Sequence, residues 1–459
     1  MTEITEVPSP FCGVGTDDIT IQVDGIDIKV IENGCSVNTP AFEQAIGDVC
    51  PRIAGKAASL LEAVSKAAEY LADTKQPVIG GCATDVNGMR ALLSLADRCG
   101  AVVDNMNFTA ARNNFLALQD SGWMNTTLAE VKNRCDVLLV IGTDLEAVVP
   151  RFFGRYLWNE SMFLENVNQR QVIYLGKPPS GNSSTSPAGQ TAQILSCDNA
   201  VLPEVVAVLR ALIKGQLIWA TEVGGIAITA LQALADTLKT AKYGVVTWAA
   251  GALGINNHAE LLVQTVSEMI KDINDKGSRC SGLPLAGKEG DLTANQVCGW
   301  TTGYPARVNF ARGYPEYDPY RYDTNLMLAN GEADALIWVQ AFNSNSVPPV
   351  VDIPTVVIGR SGMTFTKVPD VFIPVGTPGI DHAGHAYRTD NVVAIRLKKL
   401  RDSGLPSTAE VLTAIEHALK GESHVNYTEW RQGLRSGKRC CGCYPGRLFQ
   451  RWQNYRQAS

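Results

Sequence analysis

Few residues of this chain could bind a metal ion or a cluster, and their spacing fits such sites poorly. Cys12 and Cys35 lie near the N-terminus, whereas a [4Fe-4S] cluster is normally held by four thiolates. His382 and His385 place two imidazoles three residues apart, but a structural zinc ion needs two further ligands. The sequence therefore predicts no intact cluster, and it favours a glycine-containing turn with locally hydrogen-bonded histidines over a metal site.

The remaining cysteines indicate structural rather than catalytic roles. Cys440-Cys441-Gly442-Cys443 lies within the segment Arg431 to Ser459, which contains seven Arg or Lys residues and no Asp or Glu. Adjacent cysteines fit ligand geometry poorly, so the segment is predicted to be a solvated or partner-docking extension. Five others stand alone in apolar or helical contexts, where a thiol acts as a small buried hydrophobe: Cys50, Cys82, Cys99, Cys135 and Cys197.

A set of basic residues could bind anions. Guanidinium groups suit phosphate and carboxylate equally well because they donate two parallel hydrogen bonds. The alternative is that these side chains pair with Asp and Glu of the same chain and fix its geometry. The candidates are Arg151, Arg155, Lys288, Arg307, Arg312 and Arg388. The chain has no G-x-S-x-G, H-E-x-x-H or P-loop motif, so no nucleophilic or nucleotide-binding arrangement emerges.

Short apolar strands alternate with helical segments along the chain. Residues 19–30 alternate around Asp24-Gly25, which predicts a hairpin. Residues 57–72 carry apolar side chains at helical spacing, and a second helix is expected over 86–98. Strands buried between helices indicate parallel sheets covered on both faces, with ligands at the carboxyl ends of the strands. The predicted strands are 77–82, 137–142, 171–175, 243–248, 335–339 and 355–359.

Composition restricts the class of protein further. The 459 residues suggest about three domains. Hydrophobic content of 45% and charged content of 19% indicate a globular chain. The net charge of −6 does not favour a nucleic-acid partner. Because neither a secretory signal nor a membrane-spanning segment is recognisable, we expect a cytoplasmic protein without a membrane partner.

Several segments are specific enough to suggest a family. Residues 9–18, with Asn33-Gly34-Cys35, resemble the four-cysteine cluster segment in the B subunits of formylmethanofuran dehydrogenases, but Ser9 and Thr16 stand where that family has its first and third cysteines. Residues 104–113 resemble the segment that carries the family's metal-binding cysteine, and here Ala110 replaces it. The resemblance extends over roughly residues 9–400 through further motifs at 127–136, 150–156, 302–315, 368–374 and 379–388.

The resemblance implies an α/β fold like domains 1 to 3 of molybdopterin oxidoreductases such as formate dehydrogenase and DMSO reductase. It has interleaved Rossmann-like parallel sheets and a small N-terminal β domain. The implied division is 1–50 with about 376–400 as a degenerate cluster-type domain, 51–136 with about 322–375 as the first Rossmann-like domain, 137–321 as the second, and 401–459 as a helical and basic extension.

Degenerate ligands on this scaffold resemble the non-redox B subunits of bacterial formyltransferase/hydrolase complexes. The resemblance implies a scaffold in one-carbon metabolism, from formaldehyde to formate, with other subunits as partners. It implies no covalent cofactor, iron–sulfur cluster or molybdopterin, and no catalytic residue in this chain. The emptied pterin cleft is expected to persist as a solvated basic groove for the tail of a methanofuran-type carrier, because cations without anionic partners are costly to bury. Two alternatives remain: an active molybdenum or tungsten dehydrogenase subunit, and a stand-alone metal-binding protein built on His382 and His385.

Overall fold

The computed structural model describes residues 1–13, 16–254, 258–285 and 288–421. Strands and helices alternate through most of this length. The strands are β1 (Thr2–Val7), β2 (Ile19–Asp24), β3 (Asp27–Glu32), β4 (Arg52–Ile53), β5 (Lys56–Ala57), β6 (Pro77–Ala83), β7 (Val102–Val103), β8 (Val137–Ile141), β9 (Gln171–Leu175), β10 (Gln193–Leu195), β11 (Glu222–Val223), β12 (Ile226–Ala227), β13 (Gly244–Ala249), β14 (Cys280–Leu285), β15 (Val308–Asn309), β16 (Glu316–Tyr317), β17 (Ala335–Gln340), β18 (Thr355–Arg360), β19 (Val371–Val375), β20 (Gly384–Tyr387) and β21 (Ala394–Leu397).

Local signals explain where helices begin. Ser59 Oγ accepts a hydrogen bond from Glu62 N at 3.2 Å, and Glu62 Oε2 accepts one from Ser59 N at 2.8 Å, a reciprocal cap worth about 1 kcal/mol. The helices are α1 (Asn38–Phe42), α2 (Leu60–Ala72), α3 (Val86–Cys99), α4 (Phe108–Ser121), α5 (Leu128–Arg134), α6 (Leu145–Val148), α7 (Leu202–Ile213), α8 (Ile228–Thr240), α9 (Ala259–Asp275), α10 (Asp291–Thr302), α11 (Thr324–Ala329) and α12 (Thr408–Leu419). A π-helical turn spans Phe153–Leu157.

The larger sheet has nine strands in the order β16-β15-β7-β6-β17-β18-β19-β4-β5. Its five central strands, from β7 to β19, are parallel, and the outer pairings are antiparallel. Every residue of β6, β17, β18 and β19 is buried, because helices pack on the sheet. One apolar cluster joins this sheet to α2, α3 and α12.

The second sheet has five parallel strands in the order β10-β9-β8-β13-β14. Helices α7, α8 and α9 cover one face. The other face packs against α5 and the aromatic side chains of Phe152 and Phe153. The predicted α/β class with parallel sheets is therefore confirmed.

The N-terminal strands β1, β2 and β3 form an antiparallel sheet of their own, with the predicted hairpin between β2 and β3. Their apolar residues share one cluster with Ile380 and Leu400 from the distant C-terminal part and with Phe342. Packing thus brings residues 376–400 back to the N-terminal sheet.

Two predicted domain boundaries need correction. Val308 pairs with Val103, so β15 belongs to the nine-stranded sheet although it lies within 137–321. The α10 residue Val297 and the α12 residue Val411 are buried in the cluster of that same sheet. The chain therefore returns to the first sheet before α10, and α12 is part of its helical cover rather than an extension. Backbone pairing and apolar burial decide both points.

The described part of the chain contains no helix that is long and apolar enough to cross a membrane. The predicted basic tail and its three cysteines lie outside the described residues.

Candidate functional site

The carboxyl ends of the parallel strands carry aspartates that cap helices. Asp85, after β6, accepts a hydrogen bond from Gly88 N at 3.0 Å. Asp144, after β8, accepts one from Ala147 N at 3.2 Å. Both carboxylates hold the first turns of α3 and α6, which gives each of them a structural role.

The start of α4 lies at the junction of the two sheets. The predicted degenerate metal position, Ala110, is in its first turn. Ala110 lies close to Gly251, which follows β13: a Cβ atom added to Gly251 would be 3.4 Å from the Cβ of Ala110. Asn107 Nδ2 donates to Lys288 O at 3.5 Å, and Thr109 Oγ1 donates to Asp323 Oδ2 at 3.1 Å. Segments from both sheets therefore meet at this helix start, which is where the sequence predicted the former metal site.

Arg307 is the centre of a buried ionic network beside that helix start. Its side chain is 1% exposed and forms ion pairs with Asp104 at 3.2 Å and with Asp323. The guanidinium also donates to Thr109 Oγ1 at 2.7 Å and lies 5.0 Å from the ring centroid of Phe108. The backbone of Arg307 has φ +71°, a conformation that costs a non-glycine residue free energy. The ion pairs and hydrogen bonds of the Arg307 side chain offset the free-energy cost of this backbone conformation.

Asp104 shows how strongly the site excludes water. Burial raises the pKa of its carboxyl from 3.8 to about 6, against the opposing effects of Arg307 and of the hydrogen bond from Thr324 N. Desolvation disfavours the charged form. The Arg307 charge is thus needed to keep Asp104 ionised near neutral pH.

A second ionic network joins the N-terminal segment to the five-stranded sheet. Arg151 binds both carboxylate oxygens of Asp18, at 2.5 and 3.1 Å. Arg155 pairs with Asp17 at 2.7 Å and approaches Asp18 at 3.6 Å. Arg151 also donates to Asn33 Oδ1 at 2.9 Å. These bidentate contacts hold the degenerate cluster segment against the second sheet.

Arg388 makes the third anchoring pair. It contacts Asp390 through Nε at 2.9 Å and Nη2 at 2.5 Å, and the Asp390 side chain is 0% exposed. Asp390 also accepts a hydrogen bond from Leu128 N at 2.9 Å, at the start of α5. The pair therefore fixes the segment after β20 to the helical cover of the second sheet.

The expectation that these arginines lack anionic partners is wrong. Each of the five pairs with a carboxylate of this chain, as in the alternative that the sequence left open. Arg312 also lies away from the junction. The preceding residue, Ala311, lies close to Gly100, just before β7: a Cβ atom added to Gly100 would be 3.3 Å from the Cα of Ala311. The side chain of Arg312 is 66% exposed. Lys288 is exposed and forms no ion pair within the described part of the chain.

The residues at the predicted cluster positions have contacts within the protein. Ser9 N donates to Thr16 O at 2.9 Å, and both residues are buried. Cys12 is buried, while Cys35 Sγ accepts a hydrogen bond from Asn38 N at 3.4 Å near the start of α1. Two hydroxyl residues in place of thiols do not fit a four-thiolate cluster.

The two candidate histidines have different surroundings. His382 Nδ1 lies 3.0 Å from Ala383 O, and its buried Nε2 has no hydrogen-bond partner. His385 is exposed on β20. Across the ranges that the structure describes, no group of three or more His, Cys, Asp or Glu side chains is placed to hold a metal ion.

The sequence interpretation missed a carboxylate at the same junction. Glu289 accepts hydrogen bonds from Asn343 Nδ2 at 2.6 Å and Gln340 Nε2 at 2.8 Å, and its backbone has φ +53°. The one signal in the sequence was its position beside Lys288. Likewise, Asp17, Asp18 and Asp104 stand within the matched motifs but were not recognised as partners of the arginines.

Comparisons with known proteins agree with this architecture. The chain is 30% identical over 382 residues to the B subunit of the formyltransferase/hydrolase complex Fhc of Methylorubrum extorquens, covering 80% of this chain and 97% of that protein. It is 27% identical over 439 residues to the B subunit of the tungsten-containing formylmethanofuran dehydrogenase 2 of Methanocaldococcus jannaschii, covering 91% and 98%. No model of a protein family matches the chain.

A solved structure shows the same fold. A chain of the formyltransferase/hydrolase complex FhcABCD from Methylorubrum extorquens, crystallised with methylofuran, superimposes with a TM-score of 0.67 at 28% identity. The match covers 81% of this chain and 99% of the other. The resemblance predicted from the motifs is thereby confirmed, and the chain belongs to the family of formylmethanofuran dehydrogenase B subunits, which includes the B subunit of formyltransferase/hydrolase complexes.

Proposed function

We propose that this protein is the B subunit of a formyltransferase/hydrolase complex in one-carbon metabolism, and that it acts as a scaffold without redox chemistry of its own. The observation that carries the proposal is the near-complete coverage of the Fhc relative, 97%, at 30% identity, together with Ser9, Thr16 and Ala110 at the three ligand positions. Cytoplasmic placement and partnership with the other subunits belong to the same proposal.

A tungsten or molybdenum dehydrogenase subunit is the second candidate, because two tungsten-containing relatives are covered to 98%. The residues do not fit that role. Alanine at position 110 has no atom that could ligate a metal, and only two of the four cluster thiols are present. We also propose that the two parallel sheets correspond to the Rossmann-like domains of molybdopterin oxidoreductases, with the chain crossing between them near α4 and again before α10.

Metal content separates the two candidates. We expect the purified full-length chain, together with any subunits that accompany it, to contain far less than one iron, molybdenum or tungsten atom for each copy of this chain. Mass-spectrometric elemental analysis measures all three at once. Stoichiometric tungsten or molybdenum accompanied by iron would restore the dehydrogenase interpretation.

Assembly tests the proposal directly. Affinity purification of the tagged full-length chain from its source cells should recover formyltransferase and hydrolase subunits in fixed ratio, and the assembly should release formate from a formylated carrier. The chain expressed alone should aggregate, because surfaces that normally meet partners are then exposed. A monodisperse monomer that transfers formyl groups unaided would contradict the scaffold role.

The junction at the start of α4 is our proposed contact for the carrier tail. Lys288 is the exposed cation there, whereas Arg151, Arg155, Arg307 and Arg388 contribute by holding the surrounding segments in place. A polyglutamate-type tail would meet Lys288 through charge-assisted hydrogen bonds.

Replacing Lys288 by glutamine should weaken binding of a methanofuran-type carrier about two- to fivefold at low salt, because one exposed ion pair is worth at most about 1 kcal/mol. The difference should shrink at high salt, where exposed charges are screened. Calorimetry on the assembled complex at two ionic strengths measures both effects. Arg312→Gln is the matched control, since Arg312 lies at the other end of β7. Equal loss in both variants would exclude a specific contact at Lys288.

A further inference from the structure

A small polar pocket lies at the edge of the five-stranded sheet, beside the amino end of β9. Its volume is about 70 Å³. Gln171 and Val172 of β9 form one wall, and residues 190–193, leading into β10, form another. Arg170, Trp158 and Ser184 complete the lining. The pocket is distinct from the junction at α4. It lies at the amino end of β9, whereas Leu175 is at the carboxyl end of the same strand.

Arg170 brings a buried positive charge to this pocket. The residue is 1% exposed, and its guanidinium donates to Tyr156 O at 3.2 Å, to Lys132 O at 2.5 Å and to Leu157 O. These acceptors are backbone carbonyls near the ends of α5 and of the π-helical turn. Their dipoles solvate the guanidinium, but no carboxylate pairs with Arg170 within the described ranges.

Arg170 is therefore not hydrogen-bonded to a carboxylate of the described residues, although the nearby Asp136 carboxylate acts on it through space, and one donor atom has no acceptor. Its Nε is buried without a hydrogen-bond partner. Burial also lowers the pKa of the Arg170 guanidinium. A buried charge without a directly bonded counterion is costly, and an anion in the adjoining pocket would offset that cost.

The walls carry the donors that an oxyanion needs. Gln171, Gln190 and Gln193 offer side-chain amides, and Thr191 offers a hydroxyl. The carboxylate of Glu146 lies behind Ser184, whose N–H it accepts at 2.8 Å. Drug-sized ligands occupy roughly 300–1,000 Å³, so this pocket has room for a phosphate or carboxylate group but not for a nucleotide.

We infer that the pocket beside Arg170 binds a small oxyanion, a phosphate or carboxylate group, with the buried guanidinium supplying the charge and the glutamine amides the direct hydrogen bonds. The anion is either free in solution or the acidic side chain of another subunit that docks on this edge of the sheet. Neither source involves the cleft proposed for the carrier.

Phosphate titration of the purified assembly that contains the full-length chain, at ionic strength held constant with sodium chloride, tests the inference by calorimetry. We expect saturable binding of one phosphate per chain, and a parallel titration with acetate compares the carboxylate. Gln193→Glu should weaken phosphate binding at least tenfold, because the new carboxylate repels the anion and replaces an amide donor with an acceptor. Gln216→Glu, on an exposed turn outside the pocket, is the matched control and should bind phosphate like the parent.

The two sources of the anion give different results. If a partner's acidic side chain occupies the pocket, phosphate will not bind to the assembled complex. In that case Gln193→Glu will reduce the recovery of the other subunits at least tenfold, and Gln216→Glu will leave their recovery unchanged. Absence of phosphate binding together with unchanged assembly of Gln193→Glu would overturn the inference. So would equal phosphate affinity in Gln193→Glu and the parent.

Discussion

Replacing Arg307 by leucine should lower the free energy of unfolding by about 3–5 kcal/mol, the usual cost of removing one partner from a buried ion pair. The reason is that Asp104 and Asp323 would both lose their cation, and Asp104 lies in a water-excluded site where burial already raises its pKa to about 6. Urea unfolding of the full-length chain, kept at low micromolar concentration to limit its aggregation and followed by far-ultraviolet circular dichroism, measures the loss. Arg307→Lys should recover only part of it, because an ammonium group cannot reproduce the planar fork.

Arg312→Gln provides the control for this experiment. Arg312 lies five residues further along the chain and pairs with Glu316 at 3.4 Å, but its side chain is 66% exposed. We expect no measurable change in stability, since exposed ion pairs contribute little. A loss of less than about 1 kcal/mol in Arg307→Leu would show that the network can relax or take up water, contrary to its buried geometry.

Replacing Arg388 by glutamine should cost about 2–4 kcal/mol, the range expected when a buried carboxylate loses its charged partner but keeps a backbone hydrogen bond. Asp390 has a side chain that is 0% exposed, and its remaining donor is Leu128 N at 2.9 Å. Because the pair joins the segment after β20 to α5, we also expect faster amide hydrogen exchange in residues 384–397.

Lys399→Gln is the matched change for the Arg388 experiment. Lys399 pairs with Asp402 at 3.3 Å, and the two side chains are 45% and 66% exposed. Stability and exchange should both stay at the parental level. Equal effects in the two variants would mean that the Arg388–Asp390 pair has no special anchoring role. Any change of charge in this part of the chain would then lower stability to the same extent.

The predicted strands and helices agree closely with the structure because apolar spacing is a local property. The strand predicted at 77–82 is β6 at Pro77–Ala83, and the helix predicted at 86–98 is α3 at Val86–Cys99. The resemblance was also recognisable from sequence, since the matching segments, among them residues 9–18 and 104–113, are read directly from residue types and their order. These features depend on residue type and order alone.

The sequence alone did not show which elements share a sheet. Residues 308–317 follow the second sheet's strands in sequence, yet β15 pairs with β7 of the first sheet. Strand pairing is decided by which edges meet in space and by the loops that allow it. The helix α12 illustrates the same limit, since its apolar face becomes informative only when α2 and α3 lie beneath it.

The sequence by itself determined the α/β class and the family, because periodicity and residue identity carry that information. Only the tertiary structure decided the role of the arginines. Arg307 and Asp104 are 203 residues apart, and Arg307 and Arg312, five residues apart, lie at opposite ends of β7. A strong ion pair needs two oppositely charged side chains within about 4 Å of each other and little exposed to water, and chain folding alone sets both conditions.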